Sequence, residues 1–218
     1  MVRAQYPALG DGRAWLDGAA GTQVPQAVID AVAKTYRTGV SNQGAPFDAS
    51  SRGTEIVTQA RRAVADLVGA ADPSGVVFGP TMTALTYRFA ATLGATWRSG
   101  DEIVVSQLDH DANIRPWVQA AQRARVIVRT AKVDPRTTEL PVDAIRALLG
   151  DRTKLVAFTA ASNLVGTCPD VAAITAAART VGAISFVDGV HHAPHAHVDL
   201  ATLGADLYAT SAYKWAGP

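Results

Sequence analysis

Short runs rich in β-branched residues recur along the chain, separated by longer alanine-rich stretches. This alternation restricts the fold more than any other feature. The strand candidates are 75–78 "GVVF", 102–105 "EIVV", 125–129 "RVIVR", 154–159 "KLVAFT", 183–187 "AISFV" and 206–209 "DLYA". Helix-patterned stretches lie near 25–38, 54–69, 82–97, 112–124, 141–149 and 170–181. Their starts and stops are sensible: Asp143 stands in a first turn after Pro141, and Pro169 opens a segment that closes at Gly182. Strands alternating with helices at this spacing predict an α/β fold, a mostly parallel sheet with helices on both faces. Residues 51–218 read as one large domain, and 1–50 as a less regular N-terminal segment packing on it.

Composition narrows the function classes. With 48% hydrophobic and 18% charged residues the 218-residue chain is ordinary for an α/β protein with a full core. A formal charge of +1, with no basic stripe or acidic tail, argues against nucleic acid and against an anionic membrane as partners. The single cysteine, Cys168, excludes an internal disulfide framework and reads as a small buried thiol. No apolar run reaches the length of a membrane-spanning helix, and the N-terminus lacks a secretory pattern, so a cytoplasmic protein is expected.

In an open parallel sheet, ligands bind beyond the carboxyl ends of the strands. The residues following the strand candidates are therefore the informative ones. "GPTMT", containing Thr81 and Met82, precedes a helix and offers backbone N–H groups and a hydroxyl at a positive helix end. That is an anion site, or an ordinary N-cap. His110 follows "EIVV", Asn163 follows "KLVAFT", and Asp188 ends "AISFV" with His191 and His192 just beyond. Ser211 and Lys214 follow "DLYA". A carboxylate closing a buried strand is costly unless it meets a cation or hydrogen-bond donors. A lysine among apolar neighbours is a candidate nucleophile toward carbonyls. A Schiff-base lysine, a carboxylate for a pyridinium nitrogen, a stacking imidazole and a helix-end phosphate cradle together make a pyridoxal phosphate site. The four histidines 191, 192, 195 and 197 offer an alternative, a metal cluster, although Pro194 interrupts any helix that would align them.

With these residues in place, the chain resembles the class V aminotransferase family of fold-type I pyridoxal-phosphate enzymes, in particular its cysteine desulfurase-like branch. The resemblance rests on "WLDGAAGTQVP", "FGPTMTAL", "GDEIVVSQLDHDANIRPW", "TAASNLVGT" at 159–167, and "VDGVHHAPHAHVDLATLGADLYATSAYKWAGP". It implies that Lys214 carries the cofactor as a Schiff base and acts as general base, that Asp188 pairs with the ring nitrogen, and that His110 stacks on the ring. Asn163 and His191 match positions near the ring hydroxyl, and Thr81, Met82 and Ser211 match the phosphate site. It further implies an amino-acid substrate and a homodimer. Three departures bear on substrate: His191 stands where the desulfurases carry Gln, Tyr213 replaces a His before the lysine, and Met82-Thr83 replaces Thr-Glu. The family's small C-terminal domain, its carboxylate-gripping Arg and its mobile cysteine have no counterpart in these residues. A catalytically incomplete form of the same fold is therefore the other reading.

Overall fold

The computed structural model describes residues 2–217. They form two compact units: one comprises residues 2–77 and 212–217, the other Phe78–Ser211.

The second unit is built on five parallel strands: β1 (Glu102–Ser106), β2 (Ile127–Ala131), β3 (Thr153–Thr159), β4 (Ile184–Asp188) and β5 (Leu207–Ala209). Their order across the sheet is β2-β1-β3-β4-β5. From β1 the chain steps to the edge strand β2, then crosses back to β3 and runs out through β4 to β5, so neighbouring strand ends bring distant residues together. The central strands are buried on both faces, which explains why they read as continuous apolar runs rather than alternating ones. Ile103, Val105, Leu155, Ala157 and Phe186 point to one face. There they pack with residues of α3 (Met82–Gly94) and α4 (Arg115–Ala124). Val104, Val156, Phe158 and Val187 point to the other, packing with α5 (Val142–Arg146) and α6 (Val171–Thr180). A short α7 (Leu200–Leu203) leads into β5.

Helix ends follow local chemistry. The Thr81 hydroxyl accepts from the Ala84 N–H at 3.1 Å and opens α3; Asp170 does the same for α6 through Ala173 at 3.0 Å. Pro116 occupies the first turn of α4, where its missing N–H costs nothing.

The first unit holds α1 (Gln26–Thr38) and α2 (Asp48–Val68). Gly69, left-handed at φ 64°, ends α2. The Ser50 hydroxyl donates to the Asn42 carbonyl at 2.6 Å and accepts from the Ala45 N–H at 2.9 Å, fixing the entry to α2.

Two expectations change. Residues 75–78 do not form a strand: Pro73–Gly75 is a tight turn, and Val77 and Phe78 are exposed. β-branched residues suit a pleated surface, but a strand exists only where a neighbour supplies the ladder, and none among the described residues pairs with this segment. Cys168 is exposed rather than buried, because it lies in the loop joining β3 to α6.

Candidate functional site

The carboxyl ends of β1, β3, β4 and β5 lie along one edge of the parallel sheet; Asp188 ends β4, and the loops after the other three carry His110, Asn163 and Ser211. The N-terminus of α3 joins this edge directly. The Met82 N–H donates to the Ser211 hydroxyl at 3.2 Å, and both residues are buried. Two donors, a helix N–H and a hydroxyl that can rotate, thus face each other at the positive end of a 13-residue helix. Thr81 caps the same helix, the ordinary N-cap role the sequence also offered.

Asp188 is the last residue of β4 and is buried. One carboxylate oxygen accepts from the Val190 N–H at 2.9 Å. Its backbone carbonyl takes the Ala160 N–H at 2.9 Å and the Thr159 hydroxyl at 3.3 Å, which ties it to β3. Behind it, Gly189 packs against the ring of Tyr208, whose hydroxyl lies 3.0 Å from Nδ1 of His192. Burial pushes the Tyr208 phenol up, and the charge of Asp188 pushes it the same way, so the hydroxyl stays neutral. Burial pushes His192 down.

His110 is exposed, with its ring held by one nitrogen: Nδ1 accepts from the Ala112 N–H at 3.1 Å. When neutral, its proton is therefore on Nε2. Asn163 sits half-buried in the turn after β3, where Leu164 and Val165 N–H groups bond to the Ser162 hydroxyl, both at 3.3 Å. His191 is half-buried in the loop after β4.

Lys214 belongs to the first unit. Its ammonium donates to the Ala19 carbonyl and lies 5.4 Å from the centre of the Tyr213 ring. The surrounding turn is tied down by Thr22, whose N–H donates to the Tyr213 carbonyl at 2.9 Å and whose hydroxyl accepts from Ala216 N–H at 2.8 Å.

The histidines at 191, 192, 195 and 197 do not gather into a metal centre; among the described residues no three His, Cys, Asp or Glu side chains are placed to hold an ion. Sequence reasoning missed Asp109, Asn113 and Trp117. They are spaced by four residues, "DHDANIRPW", a period that aligns side chains along a helical path, and they form one chain of hydrogen bonds that runs from half-buried Asp109 to fully buried Asn113 and Trp117.

The second unit thus combines a five-stranded parallel sheet with a buried strand-end carboxylate, a capped helix N-terminus and an imidazole held at Nδ1. Residues 14–218 match the profile of Aminotransferase class-V, and the chain belongs to that family. The family's enzymes, cysteine desulfurases among them, depend on pyridoxal phosphate. A probable cysteine desulfurase of Pseudomonas aeruginosa is 37% identical over 221 residues, covering 99% of this chain and 55% of that protein. The crystal structure of the cysteine desulfurase CsdA from Escherichia coli superposes with a TM-score of 0.89 at 33% identity, over 100% of this chain and 55% of that one. A C-DES mutant solved with glycine covalently linked to its PLP cofactor shares the fold, with a TM-score of 0.84 at 24% identity, covering 99% of this chain and 57% of that one. The chain thus spans about half the length of the relatives it matches. Among the described residues, no helix is long and apolar enough to cross a membrane.

Proposed function

We propose that this chain is the cofactor-holding part of a cysteine desulfurase-like pyridoxal-phosphate enzyme acting on an amino acid. The observation that carries this reading is the hydrogen bond between Met82 N–H and Ser211 Oγ, on the same sheet edge as the buried carboxylate of Asp188. The donor set fits the group. Met82 N–H, the Ser211 hydroxyl and the α3 N-terminus suit a phosphate; Asp188 suits a protonated ring nitrogen; His110 offers a flat ring, with Asn163 and His191 as polar neighbours. When bound, pyridoxal phosphate supplies an electron sink for negative charge developing at the substrate Cα.

The protein's own groups do the rest. Asp188 would hold positive charge at the ring nitrogen, and its burial would strengthen that attraction. Lys214 lies three residues beyond Ser211, so the covalent chain keeps their Cα atoms within about 11 Å. Its amine would hold the cofactor covalently and would serve as the base that takes and returns the proton at the substrate Cα.

The chain functions as a homodimer in this reading. The support is α1, which buries no residue and exposes Ile29, Val32 and Tyr36 at helical spacing along one face.

The cofactor reading is tested by titrating pyridoxal phosphate into the purified chain and following visible absorbance. A saturable band is expected, and it disappears in Lys214→Ala while the fold, monitored by circular dichroism, persists. A folded wild-type chain with no band, or a Lys214→Ala chain that keeps it, rejects the proposal.

A further inference from the structure

Residues 106–117 lead from the end of β1 into α4, and His110 stands in the middle of this stretch. The residues around His110 are tied to one another by their side chains. The Ser106 hydroxyl donates to one carboxyl oxygen of Asp109, and the other oxygen accepts from Asn113 Nδ2–H at 2.7 Å. Ser106 Oγ in turn accepts from the Leu108 N–H at 3.1 Å. The Asn113 amide oxygen accepts from Trp117 Nε1–H at 3.0 Å. Ser106, Asn113 and Trp117 are fully buried, and the Trp117 ring meets Phe186 of β4 edge-on with centroids 5.0 Å apart. A line of polar contacts therefore runs from the His110 loop into the core of the sheet.

Asn113 holds both flanks of His110. Its backbone N–H donates to the His110 carbonyl at 2.8 Å, and its Nδ2–H holds the preceding residue, Asp109. Between these two anchors lies Ala112, whose N–H donates to His110 Nδ1 at 3.1 Å and orients the imidazole. We propose that Asn113 is a positioning residue for His110: its amide, oriented by Trp117, clamps Asp109 and keeps the loop in the one arrangement where the ring accepts the Ala112 N–H and leaves Nε2 and the ring faces to a ligand. The proposal rests on the reading of His110 as the residue that stacks on the cofactor ring.

The partners require an amide at 113. An indole Nε1–H donates and cannot accept, so it selects the amide oxygen and leaves the amide nitrogen for Asp109. Aspartate at 113 would offer Asp109 no donor. Leucine, similar in size, would offer neither group and would leave the Trp117 N–H buried without an acceptor. The neighbouring acid, Asp111, takes no part in the clamp; it is exposed and accepts from Arg115 Nε–H at 2.7 Å.

The same bonds also steady the start of α4, and the two roles differ in where loosening shows. The test is amide hydrogen exchange read by NMR on the cofactor-free chain, together with the 15N shifts of the His110 imidazole, His110→Gln supplying the ring assignment. In Asn113→Leu the Ala112 N–H is expected to exchange about tenfold faster, the equivalent of one net hydrogen bond lost. The Nδ1 resonance moves toward that of an imidazole with no donor at Nδ1. The amides of Val104 and Val156 in the sheet and of Val118 in α4 keep wild-type protection. Trp117→Phe removes the indole donor but keeps an aromatic ring against Phe186. It is expected to give a smaller change in the same direction, and it carries the test if Asn113→Leu does not fold. Wild-type exchange at Ala112 with an unmoved Nδ1 resonance overturns the proposal. So does a rise shared equally by Val104, Val156 and Val118, which marks a residue that only stabilises the fold. No cofactor is present in this experiment, so failure to bind pyridoxal phosphate and failure of the clamp are separate outcomes.

Discussion

Gly189 occupies the tightest point behind the candidate site. A Cβ there would run into the Tyr208 ring, which is itself held by its hydroxyl at His192. Gly189→Ala is expected to destabilise the fold by about 1–3 kcal/mol through overpacking, read as a lower urea midpoint. Trimming Tyr208 in the same chain should recover part of the loss, a coupling that a double-mutant cycle measures. Individual residues differ in how far their surroundings could be foreseen. Asp188 was legible because it ends an apolar run, and a carboxylate there needs partners. Asp109 was not, since nothing in "SQLDHD" says which of its two aspartates bonds to Ser106 and Asn113.

Among the elements, β3 is the keystone of the second unit, lying third of five in the sheet and buried along most of its length. Phe158, fully buried among Val156, Ile174 and Val187, should cost about 3–5 kcal/mol when replaced by Ala, measured by chemical denaturation with unchanged slope. β3 and β1 were foreseen to within a residue because an apolar run bounded by polar residues leaves little freedom. β2 was placed two residues early: Arg125 takes the left-handed position that ends α4, at φ 56°, so the strand begins only at Ile127. "GVVF" has strand composition without strand pairing, which local sequence does not reveal.

At the scale of the whole molecule, the exposed apolar face of α1 is the feature that bears on assembly. Sedimentation velocity is expected to show concentration-dependent dimers, and Tyr36→Glu, at a position 82% exposed, should shift them toward monomer without loss of fold. A monomer at every concentration would reject the homodimer reading. The sequence by itself determined the alternation of strands and helices, hence a parallel α/β sheet, and it marked the strand-end residues His110, Asn163, Asp188 and Ser211. Periodicity and strand-end polarity are local properties, and local properties survive in a linear string. Only the tertiary structure decided the strand order and the meeting of Met82 with Ser211. Each of these joins segments far apart in the chain, and which segments meet is settled by packing across the sheet rather than by neighbours in sequence.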